Sequence, residues 1–121
     1  MNQIDFDRDA FEDIIAKDSR YDARAYALLM EVIGALSERH EHFSAEDILD
    51  EFRELTLDQY GPLGLRVLTE WGLKSCEDIG EMMYNLADSG RVKKDEQDDH
   101  ESFRGGYDFD EAFLAPFACE G

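Results

Sequence analysis

The chain has 121 residues and a mass of 13.9 kDa, the size of one domain, and no stretch divides it. Twelve Lys and Arg against thirty Asp and Glu give a formal charge of −18, which repels phosphate backbones and anionic membranes and favours basic proteins. With no apolar run near the ~20 residues of a membrane span, an acidic start unlike a signal peptide, and Cys76 and Cys119 outside any metal-type spacing, the sequence points to a cytoplasmic protein without a cofactor.

The first helix is predicted over Asp7–Lys17, where Phe6, Ala10, Phe11, Ile14 and Ile15 form an apolar stripe. Asp18-Ser19-Arg20-Tyr21 interrupts it. Asp22 then caps a longer helix, Ala23–Arg39, with Tyr26, Leu29, Met30, Ile33 and Leu36 as its inward stripe. Gly34 in its middle weakens it, and the expected use of that glycine is close approach of another helix. Ser44 and Asp47 make a capping-box-like pair, with Phe43 and Ile48 placed as a hydrophobic staple; the stripe runs on through Leu49, Phe52, Leu55 and Tyr60. Gly61 supplies a left-handed stop and Pro62 the first position of the next helix.

That fourth helix, Leu63–Trp71, has Leu63, Val67, Leu68 and Trp71 on its inner side, so it is expected to be the most buried element, with Trp71 at the core's centre. Ser75 and Asp78 repeat the capping pattern and open a fifth helix, Cys76–Ser89, with Ile79, Met82, Met83 and Leu86 inward and Gly90 as its stop. Arg91–Lys94 reads as a short strand. The acidic loop that follows could hold a cation together with Asp108, Asp110 and Glu111. Aromatic and acidic residues alternate over Tyr107–Asp110, as in a strand with one buried face. The apolar tail through Phe117 is expected to dock.

The implied fold is mostly α: a five-helix single domain, helical over 7–89, with a C-terminal β-hairpin and docked tail over 91–118. Two helices joined by a short Gly-containing turn, then strand, loop and strand, is also the order of a winged helix-turn-helix. The charges oppose DNA binding. The outward face of the would-be recognition helix carries Glu77, Asp78, Glu81, Tyr84, Asn85 and Asp88 without Lys or Arg, whereas groove reading needs donors and phosphate contacts. Arg91, Lys93 and Lys94 cluster, but eight acids between Asp95 and Glu111 offset them.

No motif for a specific reaction emerges. Asp5-x-Asp7-x-Asp9 begins a calcium loop but has Ala10 where Gly is needed and Ala16 where Glu is needed. His40 and His42 lack a third ligand nearby. Cys76 lies in the first turn of a helix, beside three acids and with no partner base in view.

Three stretches carry a resemblance: Tyr60-Gly61-Pro62-Leu63 through Glu70-Trp71-Gly72-Leu73; Glu77-Asp78-Ile79-Gly80-Glu81 with Tyr84-Asn85-Leu86; and Gly106 through Phe113 with Pro116-Phe117. Through them the chain resembles a family of short conserved hypothetical proteins from planctomycete and verrucomicrobial bacteria. The resemblance implies no activity, ligand or catalytic residue.

The function expected from the residues is a non-enzymatic interaction or regulatory module for a basic protein partner. Its surface is expected to comprise Glu77, Glu81, Tyr84 and Asp88 together with Tyr107, Asp108, Phe109 and Phe113. The alternatives are a winged-helix nucleic-acid binder, which needs Arg91, Lys93, Lys94 and several of Arg20, Arg24, Arg39, Arg53 and Arg66 on one face, and a metal-dependent enzyme using an Asp/Glu cluster.

Overall fold

The computed structural model describes residues 8–92, 103 and 106–117, and these residues are mostly helical, with no strand among them. A short 3-10 turn, Arg8–Phe11, leads into α1 (Glu12–Lys17); α2 (Ala23–Arg39) and α3 (Ala45–Tyr60) follow. A second 3-10 turn, Gly61–Leu63, precedes α4 (Gly64–Glu70), then come α5 (Cys76–Asp88), α6 (Phe109–Phe113) and a last 3-10 turn, Ala115–Phe117.

The helix boundaries follow from local chemistry. Asp22 caps α2 by accepting the Arg24 N–H at 2.9 Å, which satisfies one of the donors left open in a first helical turn. The Ser44/Asp47 capping box at the start of α3 is formed in both directions, and Ile48 beside it is fully buried. Gly61 ends α3 at φ +53°, and Gly90 follows α5 at φ +85°, both in the region where a Cβ is disfavoured.

α2 packs on α3 as the principal helix pair, and α5 closes against α2. Tyr26, Leu29, Val32, Ile48, Phe52, Leu68, Ile79, Met82 and Leu86 are all fully buried in one continuous cluster. On α2 the buried set is rotated relative to the predicted stripe: Leu28 and Val32 are buried, whereas Met30 and Ile33 are only partly so.

Trp71 is buried, but it packs edge-on to Tyr60 with centroids 5.7 Å apart, and the largest fully buried side chains are instead Tyr26, Phe52, Phe103 and Phe113. α4 is not the most buried element. Leu63 precedes α4 in the 3-10 turn and is 60% exposed, and Val67 is half-buried. The helix buries Gly64 and Leu68 instead, because Gly64 gives the close approach to Thr56 of α3.

The predicted β-hairpin, and with it the wing, is not formed by the described residues. Tyr107–Asp110, expected as its second strand, opens α6: the Asp108 side chain accepts the Glu111 N–H at 3.1 Å and caps the helix. Phe109 and Phe113, four residues apart, then lie on one helical face, both buried. Four residues of alternation were too short to outweigh an Asp-x-x-Glu start. Of the first strand, Arg91 and Val92 form a bend; Lys93, Lys94 and the acidic loop 95–102 lie outside the described residues, as does Cys119.

Two glycines, Gly80 on α5 and Gly106 in the C-terminal segment itself, let that segment lie close on the helices. A Cβ on Gly80 would meet the Phe103 ring at 2.9 Å, and one on Gly106 would meet Leu49 at 2.6 Å and the Cys76 sulfur at 2.9 Å. Gly34 behaves otherwise: among the described residues nothing lies within 4 Å of a Cβ there, so no described helix approaches it.

The two glycines should respond oppositely to alanine. Gly34→Ala should stabilise by about 0.5–1 kcal/mol through helix propensity, whereas Gly80→Ala should destabilise by about 1–3 kcal/mol through overpacking, both read by urea denaturation. A separate test concerns Thr56, fully buried, whose hydroxyl has no hydrogen-bond partner among the described residues. Thr56→Val keeps the shape and removes the unsatisfied group, so it should raise stability by about 1 kcal/mol and the thermal midpoint by about 4 °C.

Candidate functional site

The turn between α1 and α2 is fixed to α5 by a polar network, and that junction organises the acidic face. The Arg20 guanidinium grips Asp18 through two hydrogen bonds, Nε to Oδ1 at 2.9 Å and Nη2 to Oδ2 at 2.7 Å, and Nη2 also reaches Glu81 at 3.1 Å. Asn85 donates to Asp18 and to the Tyr26 hydroxyl, each at 3.0 Å. Tyr21 donates its hydroxyl to Asp78 at 2.6 Å, while the other Asp78 oxygen accepts the Lys74 and Ser75 N–H groups at the start of α5. One carboxylate therefore caps α5 and ties it to the α1–α2 turn. The backbones meet as well: Asp22 N–H donates to the Trp71 carbonyl at 3.0 Å, and a Cβ on Gly72 would run into the Arg20 carbonyl.

These contacts set the ionisation of the groups. The Arg20 guanidinium, aided by the Asn85 amide, holds the Asp18 carboxyl well below the usual carboxylate range. Burial, together with the negative Asp78, pushes the Tyr21 phenol far up. The network is thus fixed at neutral pH, with Asp18 charged and Tyr21 a neutral donor.

The predicted interaction residues separate into two groups. Glu77, Tyr84 and Asp88 lie exposed on α5, with Tyr84 45% exposed; Glu81 is half-buried against Arg20, and Asp88 lies 3.7 Å from Lys17. In the other group Phe109 and Phe113 are core residues, with rings edge-on at 5.2 Å, so they do not present a surface. Tyr107 is half-buried and donates its hydroxyl to the Leu49 carbonyl at 2.8 Å. Asp108 is exposed, but its carboxylate caps α6.

Cys76 and Tyr107 clip the two C-terminal elements together. The thiol donates to the Tyr107 carbonyl at 3.4 Å and accepts its N–H at 3.3 Å. Burial raises the thiol pKa, the reverse of what a nucleophile needs. An open cleft of about 380 Å³ runs beside this clip, lined by Ser75, Glu77, Gly106 and Asp108 among others. Among the described residues no three of His, Cys, Asp and Glu converge as metal ligands, Asp108, Asp110 and Glu111 included.

Sequence reasoning read Asp18–Tyr21 as a mere interruption and placed Asp78 and Asn85 outward. The available signal was a polar turn rich in hydrogen-bonding groups between two apolar stripes, but its partners on α5 are more than fifty residues away in the chain. The chain matches no protein-family model, no curated protein and no solved structure.

Asp18→Asn should cost about 1–2 kcal/mol at pH 7, the size of a charge-assisted hydrogen bond. Because the folded-state pKa is depressed, that contribution is fully present above the unfolded value of about 3.9 and is lost as pH falls toward the folded one. Urea denaturation of both proteins between about pH 7 and pH 3 should therefore show the difference shrinking below about pH 4.

Proposed function

We propose that this protein is a non-enzymatic interaction module that docks a basic protein partner by charge complementarity. One observation carries the reading: described arginine side chains are engaged by the protein's own carboxylates, while α5 carries only acids. Arg20 pairs with Asp18 and Glu81, Arg24 with Asp22, Arg39 with Glu51, Arg53 with Glu54, Arg66 with Glu70, and Arg91 with Asp13. α5 itself contributes Glu77, Asp78, Glu81 and Asp88, with no Lys or Arg. Lys17 faces Asp88 and Arg20 faces Glu81, but the four carboxylates of α5 outnumber these two cations, so a cationic partner meets a net negative field along this face.

The same pairing weighs against the nucleic-acid alternative. α4 and α5 do follow each other through a short turn, as in a helix-turn-helix. Affinity for phosphate requires cations able to release counterions. Surface ion pairs such as Arg66–Glu70 are individually weak, yet each sets a carboxylate beside the guanidinium that a phosphate would approach. No helix among the described residues is long and apolar enough to cross a membrane.

The immobilised protein should retain basic proteins from a cell lysate at about 50 mM salt and release them at about 500 mM, as screening predicts. The double variant Glu77→Lys/Asp88→Lys should retain less. Failure to hold any basic protein at low salt, or a gel shift with duplex DNA at about 50 mM salt, would overturn the reading.

A further inference from the structure

We infer that Arg8–Lys17, the first 3-10 turn and α1 together, is a strap that opens as a unit from its seat on α2 and α5, with Arg91 as its latch and Asp18 as its hinge. The inference is independent of the docking function proposed above. The strap holds itself poorly. α1 has six residues, and Phe11 at its N-cap offers no side-chain acceptor to the open N–H groups of the first turn. Over residues 10–17 only Phe11 and Ile14 are buried, and Ile15 is half-buried. α2, by contrast, buries Ala23, Ala25, Tyr26, Leu28, Leu29, Val32 and Leu36. Segments with few buried apolar side chains open at free energies well below that of global unfolding.

The attachment to the body is mainly the work of one side chain. Arg91, just past α5, donates to the two Asp13 oxygens at 2.8 and 3.1 Å and to the Ala10 carbonyl, and its guanidinium lies 5.5 Å from the centre of the Phe11 ring. Phe11 in turn stacks on Tyr26 of α2, with centroids 5.8 Å apart. The Arg91 side chain is 26% exposed, so its pair is better shielded from solvent than Lys17–Asp88, which is 3.7 Å long and exposed at both ends. Beside these contacts α1 and α5 are not closely packed. A gap of about 20 Å³ lies between them, lined by Asp13, Ile14, Lys17, Asn85, Asp88 and Ser89.

The motion stops at Asp18. Its extended backbone, φ −144° and ψ 99°, ends α1, and its carboxylate is held by Arg20 and Asn85. Three residues on, Tyr21 is tied to Asp78. Opening at Asp18 therefore leaves the α1–α2 turn in place and uncovers the Tyr26 ring, which the closed strap helps to bury. Charge sets the sign of the response to salt. The latch is an attractive pair, which salt weakens, whereas the body carries surplus acids whose repulsion salt relieves.

The test is native-state amide exchange on the full, isotopically labelled chain, read by NMR. Amides of α1 should exchange about a hundredfold faster than the slowest amides of α2 and α3. Arg91→Gln should speed α1 by about a further tenfold and leave α2 and α3 within about twofold. Asp13→Asn, which removes the charge but not the ring contact, should speed α1 by about threefold. Raising sodium chloride from about 10 to 500 mM should speed exchange in α1 while slowing it in α2. Exchange of α1 as slow as the core of α2, or an equal response of all three helices to Arg91→Gln, would make the segment part of one cooperative unit and overturn the strap. Fast exchange in α1 that neither Arg91→Gln nor Asp13→Asn alters would overturn the latch.

Discussion

A chain with thirty acids and twelve bases must keep its few cations where they hold the fold together. Arg20, Arg39 and Arg91 do this across element boundaries. Arg20 joins the α1–α2 turn to α5 through Glu81, Arg39 joins α2 to α3 through Glu51, and Arg91 joins the end of α5 to α1 through Asp13. Arg91 also donates to the Ala10 carbonyl and lies over the Phe11 ring, so its apolar stem and its charge act together. Cations engaged in this way leave the surplus carboxylates to set the outer field, and the proposed function is a consequence of that division.

The interior follows a complementary logic. Repulsion among surface acids opposes compaction, and the core offsets it with large buried side chains and close backbone approach. The C-terminal segment contributes most visibly. Phe103 sits against Gly80, Gly106 against Cys76 and Leu49, and Phe113 against Gly64 beside Thr56. Those contacts leave little space for substitution at the glycines. The rings of Tyr107, Phe109 and Phe113 pack on one another at centroid distances of 5.2 to 6.1 Å, mostly edge-on, the geometry that the ring quadrupoles favour.

The helical part of the fold was legible because its signals are local. Asp22, Ser44 with Asp47, Gly61 and Gly90 announce helix ends through groups within a few residues, and the apolar stripes need only periodicity. What could not be read depends on distant partners. Gly34 and Gly80 look alike in sequence, yet only Gly80 faces an aromatic ring, and that ring arrives from 23 residues further along. Tyr107–Asp110 satisfied a strand pattern and a helix cap at once, and the cap won because it let Phe109 and Phe113 reach the core together. The candidate site shows the same limit. The acids of α5 were visible as a charged face, but Asp78 and Asn85 turn toward Tyr21 and Tyr26, which no local pattern announces.

On this reading surplus negative charge, rather than a web of favourable surface pairs, dominates the exterior. The dependence of the thermal midpoint on sodium chloride, from about 10 to 500 mM, tests it most directly, because salt screens both effects but moves the midpoint in opposite directions. The midpoint should rise as repulsion is screened. A midpoint that falls with added salt would show that attractive pairs dominate the exterior, and would contradict it.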